Sequence, residues 1–311
     1  MIVVRNIEEI KNNSGLAATI GFFDGVHQGH RFLIAEMGEM ARKMHLPSAV
    51  ITFAQHPRKV LQADFQPKLL NSFDEKIAEI STLGVDYCIV LDFTIGLSRL
   101  TAKEFLTSVL SQQWKVKALL IGYDHRFGRD RMDDFKQYRA YGQACGMEVI
   151  EASRFKVGDV TVSSSEIRRL LMRGWVEEAA KLLTYPYQLK GHIVGGHKIG
   201  RNLGFPTANM RIDEPYKVIP AIGVYAVRAY LRGEKYKGML YIGNRPTLNN
   251  GDDITMEVHI LDFSDDIYTN ELTVSFIYYV RDDVRFNSLE ELKAQLVRDR
   301  ETIQSLLKNE D

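Results

Sequence analysis

The sequence predicts two folds in series, a doubly wound α/β unit followed by a small antiparallel β-barrel with a C-terminal helix. Three observations predict it. The chain has 311 residues, beyond the size at which a single hydrophobic core usually stops growing. In the first half short apolar runs alternate with helical periodicity, the pattern of parallel strands joined by crossover helices. Past Leu183-Thr184-Tyr185-Pro186 strand-like runs follow one another without helices until the last segment. The domains are therefore placed at 1–184 and 185–311.

In chain order, Ala17–Gly21 reads as a strand, and Leu33, Met37, Met40 and Met44 recur at helical steps after it. Ala49–Phe53 is a strand, Phe73–Leu83 a helix, Tyr87–Leu91 a strand and Ala102–Leu110 a helix. Ala118–Gly122 is apolar and strand-like, a charged helix covers Met132–Cys145, and Met147–Glu151 closes the series. Strands are then read at Gln188–Val194, Val224–Tyr230, Tyr236–Ile242, Thr255–Leu261 and Leu272–Val280. Turn residues at Arg232-Gly233-Glu234 and Asn249-Asn250-Gly251 separate them, and a closed barrel removes their edges. Leu289, Leu292, Leu296, Ile303 and Leu307 form the stripe of the final helix.

Composition excludes several classes. Forty basic and forty acidic residues cancel, so no general attraction to nucleic acid or anionic lipid exists. Two cysteines, Cys88 and Cys145, exclude a disulfide framework and a cysteine-rich zinc site. The first residues lack a basic region leading into an apolar core, and no apolar run approaches the roughly 20 residues that span a bilayer. A cytoplasmic protein without membrane or nucleic-acid partners is expected; its oligomeric state is not readable.

The segment Gly21-Phe22-Phe23-Asp24-Gly25-Val26-His27-Gln28-Gly29-His30 joins the first core strand to the first long helix. Its glycines let the backbone approach a ligand, and the helix N-terminus offers unpaired N–H groups to an anion. His27 and His30, three apart, are expected on one face of the first helical turn, where they suit a phosphate that gains charge during displacement. A chance surface His-x-x-His and half a zinc site are the bland alternatives, and the strand–turn–helix setting weighs against them.

That ten-residue string resembles the His-x-Gly-His signature of nucleotidylyltransferases, and in its long form the bacterial bifunctional riboflavin kinase/FMN adenylyltransferase (FAD synthetase) family. Thr52-Phe53-Ala54-Gln55-His56-Pro57, Gly122-Tyr123-Asp124-His125-Arg126-Phe127-Gly128 and Ser163-Ser164-Ser165-Glu166-Ile167-Arg168 match further family motifs in order, with His125 for the usual Phe and Ser165 for Thr. The resemblance implies a Rossmann-like adenylyltransferase domain. In it His27 and His30 stabilise the α-phosphate of ATP while the FMN phosphate attacks, and Gly21, Phe22, Asp24, Gly25, Ser164 and Arg168 contact the nucleotide. Phe53, His56, Pro57, Asp124 and Phe127 are implied on the flavin side.

The second glycine-rich stretch runs from Gly191 through Gly196 to Gly204-Phe205-Pro206-Thr207-Ala208-Asn209 and lacks the ending of a P-loop. Its last six residues resemble the riboflavin kinase signature. The resemblance implies that Thr207 and Asn209 hold magnesium and the phosphates of ATP, with Gly191, Gly196, Gly204 and Pro206 lining the nucleotide. Two apart in an extended segment, Thr207 and Asn209 point to one side, and magnesium prefers such oxygen ligands. Phosphorylation of a primary hydroxyl calls for a positioned base, and Glu257 within Met256-Glu257-Val258-His259 is assigned that role, with Met256 and Val258 facing away from it. His259 is either its partner or a satisfied barrel residue. Thr269 stands where the family usually carries glycine, and Asp283 and Arg285 replace the customary Glu and Lys.

The expected activity is sequential: riboflavin to FMN, then FMN to FAD, with ATP as co-substrate of both steps, Mg2+ as cofactor, and FMN and FAD as product ligands. Retention of only one activity, a non-catalytic flavin carrier and a fragment of a class I aminoacyl-tRNA synthetase are the alternatives. The two phosphate-handling signatures argue against the carrier, and the absence of a basic surface argues against the synthetase fragment.

Overall fold

The computed structural model describes the chain except residues 12–13, 63, 124–125, 130–131, 156–161, 196–203, 246–252, 264–268 and 310–311. It divides into two compact units, Met1–Ser164 and Ser165–Asp311.

The first unit is a parallel six-stranded sheet formed by β1 (Ile2–Val4), β2 (Leu16–Ile20), β3 (Ser48–Phe53), β4 (Tyr87–Leu91), β5 (Val116–Ile121) and β6 (Glu148–Glu151), in the order β1-β4-β3-β2-β5-β6. The order reverses at β2, so the carboxyl ends of β2, β3 and β5 border the switch point where ligands of doubly wound sheets sit. Both faces of the sheet are buried. Along β2, Leu16, Ala18 and Ile20 enter one apolar cluster while Ala17 enters the other. Helices α1 (Gln28–Lys43), α2 (Pro57–Leu61) and α3 (Phe73–Ser81) follow the first two long strands. Ser72 caps α3 and exchanges hydrogen bonds with Glu75, a capping box. After α4 (Ile95–Ser98), helix α5 (Ala102–Glu104) continues as a π-helix over Phe105–Gln113, which the periodicity placed as an ordinary helix ending at Leu110. Helix α6 (Phe135–Ala144) precedes β6.

The second unit begins with α7 (Ser164–Leu171) and α8 (Val176–Leu183), the latter ended by Thr184 in the left-handed conformation (φ 75°). Six strands then close a barrel in the order β10-β11-β8-β7-β12-β9. They are β7 (Gln188–Val194), β8 (Ala208–Ile212), β9 (Gly223–Leu231), β10 (Glu234–Arg245), β11 (Asp253–Ile260) and β12 (Glu271–Arg281). Helix α9 (Leu289–Leu306) buries Ile303 against a cluster with Phe205, Val224 and Met239. Its Asp299, 2% exposed, is gripped by both Nε (3.0 Å) and Nη2 (2.8 Å) of Arg281, and Arg228 Nη2 donates to Leu307 O at 3.1 Å.

Candidate functional site

In the first unit the chain leaves β2 through a loop held in unusual backbone. Gly21 still pairs with the sheet, its N–H donating to Ile51 O at 3.1 Å. Gly25 then takes φ 84°, and the non-glycine residues Phe23 (φ 56°) and Val26 (φ 35°) are also left-handed. These last two are 2% and 0% exposed, so burial holds them where steric preference does not. Arg31 Nε donates to Val26 O at 3.0 Å and Arg31 also pairs with Glu79 of α3, which fixes the loop from outside.

The loop delivers two stacked imidazoles. The rings of His27 and His30 lie 3.6 Å apart at 16°, and Phe23 packs edge-on to His30 at 5.2 Å. Their arrangement differs from the expectation that both sit on the first turn. His27 is the N-cap of α1, and its Nδ1 accepts from His30 N at 3.4 Å. Capping by Nδ1 leaves Nε2 as the nitrogen that carries the proton of a neutral His27. Burial holds His30 well below the ordinary histidine value, and the charges of His27 and Lys76 push the same way. Its Nδ1 is buried with no hydrogen-bond partner among the described residues. The site thus presents two stacked imidazoles at a helix N-terminus, of which burial keeps His30 neutral.

Asp24, 4% exposed, turns its Oδ1 to the amides of Leu70 (2.9 Å) and Asn71 (3.2 Å), while Ser164 Oγ donates to Asp24 O at 2.8 Å. Ser164 is thereby brought to the loop; Arg168 of the same motif lies on α7, in the second unit. Of the flavin-side residues, His56 meets the nucleotide-side Phe22 edge-on at 4.8 Å and caps α2 by accepting from Arg58 N at 3.1 Å, and Pro57 opens that helix. Phe53 packs edge-on against Phe93 at 5.5 Å. Phe127 stacks on Tyr138 at 4.2 Å and Tyr138 Oη donates to its carbonyl at 3.3 Å, so one face of that ring is already occupied by the protein. Asp124 and the departure His125 lie outside the described residues. Sequence reasoning missed Lys76, whose Nζ donates to Phe22 O, Thr52 Oγ1 and Phe53 O.

In the second unit the candidate residues meet through strand register. Glu257 of β11 pairs with Asn209 of β8 on one side and Tyr241 of β10 on the other. Thr207, just before β8, donates through Oγ1 to Glu257 Oε2 at 3.1 Å. Met256 (3% exposed) and Val258 (1%) are buried on either side of the half-buried Glu257. His259 is the satisfied barrel residue: its ring Nδ1 bonds Pro206 O at 2.8 Å and packs against Phe205, which anchors the segment leading to Thr207. Tyr241, not singled out from sequence, is pushed up to about 12 by burial, by the Asp283 carboxylate that accepts its hydroxyl and by Glu257. Position 283 therefore touches the site through Tyr241.

The glycines of this stretch divide. Gly191 lies within β7, where a Cβ would fall 2.2 Å from Arg211 O on β8; close strand approach accounts for it. Gly204 is exposed and left-handed (φ 83°). Gly196 lies outside the described residues. Thr269, where glycine is customary in the family it resembles, takes φ 65°.

Comparison with known proteins matches each unit to a family. The FAD synthetase family model covers residues 9–166 and the riboflavin kinase model residues 183–307. The bifunctional riboflavin kinase/FMN adenylyltransferase of Escherichia coli strain K12 is 37% identical over 96% of each chain. The protein of that name from Listeria monocytogenes is 38% identical over 90% of this chain and 88% of its own. A solved structure named as a macrolide-efflux protein from Streptococcus pneumoniae superposes with a TM-score of 0.87 at 31% identity, covering 97% of this chain and 98% of that one. Among the described residues of the present chain no helix is long and apolar enough to cross a membrane.

Proposed function

The chain belongs to the bifunctional riboflavin kinase/FMN adenylyltransferase family, and from that premise we propose how its residues divide the two reactions. It converts riboflavin to FMN and FMN to FAD. In the kinase step the primary hydroxyl of riboflavin attacks the terminal phosphorus of ATP, its proton passes to Glu257, and ADP leaves. In the second step an oxygen of the FMN phosphate attacks the α-phosphorus of another ATP, and pyrophosphate leaves with the former α–β bridging oxygen. The attacking phosphate is already anionic, so His27 and His30 act by orienting and stabilising charge, not as a base.

One observation carries this division: the stacked His27–His30 pair lies within the first unit and the Thr207–Glu257 contact within the second. Gly21, Phe22, Gly25 and Ser164 border the nucleotide there. Asp24 works by holding the 70–71 backbone to the loop, and Phe53, His56 and Pro57 form the flavin side. The oxygen-only donor set of Thr207, Asn209 and Glu257 suits Mg2+, which Thr207 and Asn209 would hold and which, when bound, neutralises charge on the ATP phosphates. The functional boundary is placed at 184/185, where α8 ends on Thr184, while the compact units divide earlier, at Ser164 and Ser165. The free thiols Cys88 and Cys145 fit work in the cytoplasm.

The test is incubation of the purified chain with riboflavin, ATP and magnesium, with FMN, FAD, ADP and pyrophosphate separated over time. FMN followed by FAD is the expected course. His27→Ala stops FAD formation and spares FMN. Release of neither ADP nor pyrophosphate would overturn the assignment.

A further inference from the structure

Helix α3 carries a cation on its buried stripe. Lys76 is 3% exposed and stands one turn before Ile80, which is fully buried. Its hydrogen-bond partners are all uncharged: Phe22 O at 3.2 Å, Thr52 Oγ1 at 3.2 Å and Phe53 O at 2.8 Å. Thr52 Oγ1 in turn donates to Phe22 O at 3.2 Å, and the Phe22 ring lies 4.3 Å from the ammonium. One side chain thus ties the segment leaving β2 to the end of β3, the two segments that present Phe22, Phe53 and His56. Burying an ammonium without a hydrogen-bonded carboxylate is costly, and a neutral apolar side chain would tie a sheet to a helix at lower cost. The placement of that cost beside the stacked histidines points to function.

We infer that Lys76 is a positioning residue for adenylyl transfer, pinning the two motif segments together and setting a positive charge that acts on His30. The inference rests on the assignment of that reaction to the first unit. The charged and titratable groups that act on Lys76 are Asp24 from the loop and Cys88 from β4, while Lys76 itself acts on His30 of α1. Cys88 stays a neutral thiol, pushed up to about 11 by burial, so Asp24 supplies the one opposing charge. Burial brings the Lys76 ammonium down from the usual 10.5 to about 8. Its charge is mostly present at pH 7, about half lost near 8 and gone well above it. Stability moves the other way: the native state gives up this proton before the unfolded chain does, so between about 8 and 10.5 rising pH favours the fold at this site. An alkaline loss of adenylyl transfer is therefore not unfolding at Lys76.

The experiment measures both activities on one molecule across pH 6 to 10, with FMN supplied for the adenylyl step and kinase activity reporting an intact chain. The parent is expected to lose adenylyl transfer above pH 8 while its kinase step does not share that limb. Lys76→Arg, which keeps its charge throughout this range, is expected to retain at least about a tenth of the neutral rate and to lose the alkaline limb. Lys76→Met is expected to lower kcat for FAD formation on the order of a hundredfold at pH 7 with KM for ATP and FMN within about threefold, the cost of a small misplacement. Parental kcat in Lys76→Met, or in Lys76→Arg an unchanged alkaline limb or a rate below that tenth, overturns the inference. A parent that makes no FAD from supplied FMN fails differently, and removes the reaction assignment itself.

Discussion

The two sites are built by opposite means. In the first, the motif residues appear where regular structure stops: β2 ends, Phe23 and Val26 take left-handed backbone, and His27 caps the helix while its ring stacks on His30. In the second, chemistry lies inside regular structure, with Glu257 set between Asn209 and Tyr241 by strand register alone. A loop site depends on backbone held by remote groups such as Arg31 and Lys76. A strand site depends on the side chain itself, because the ladder persists whatever residue occupies the position.

Substitutions that separate side chain from backbone sharpen this contrast. The largest effect is expected for Glu257→Gln, which keeps the shape and the strand but removes the base: FMN formation falls about 10²–10⁴-fold, while FAD formation from supplied FMN stays within about twofold. A glutamine variant with parental kinase rate would end the assignment. His27→Asn comes next. Asparagine is a good N-cap, so melting should be unchanged, whereas FAD formation drops about 10²–10³-fold through loss of the imidazole. Equal loss of stability and rate would show that His27 matters as a cap.

Gly191→Ala probes the barrel's backbone. With Arg211 O 2.2 Å from the added carbon, the variant is expected to lose about 1–3 kcal/mol in denaturant titration, with KM for ATP unchanged in the molecules that remain folded. A raised KM without destabilisation would return Gly191 to the nucleotide. The smallest effect is a gain. Thr269→Gly relieves a β-branched residue at φ 65° and should stabilise the chain by about 1 kcal/mol, less the entropy glycine adds to the unfolded state; the urea midpoint checks it.

Much of this was legible in the sequence. Alternating apolar runs and helical stripes located β2 to β6 and the long barrel strands, since burial on both sheet faces or on one barrel face writes itself into hydrophobic spacing. Strand β1 escaped because it is three residues long, with Ile2 and Val3 exposed at the sheet edge. β8 lay behind a glycine-rich motif whose chemistry drew the reading away from its backbone. The motifs named the histidine pair, Thr207, Asn209 and Glu257, but not their geometry: that His27 lies outside the helix depends on loop torsions no spacing encodes. Lys76 was hidden by its neighbours, as Asp74 and Glu75 make the segment look solvated. Its place four residues before Ile80 was the available signal.

The clasp between Arg281 and Asp299 has a consequence in time. Asp299 and the buried Ile303 and Leu307 follow every barrel strand in the chain, and the strand holding Arg281 must wait for them. The strands of the first unit all precede the first barrel strand, so that sheet can form on an emerging chain before the barrel is sealed. Termination ahead of Asp299 would leave Arg281 without its carboxylate in an otherwise complete set of barrel strands.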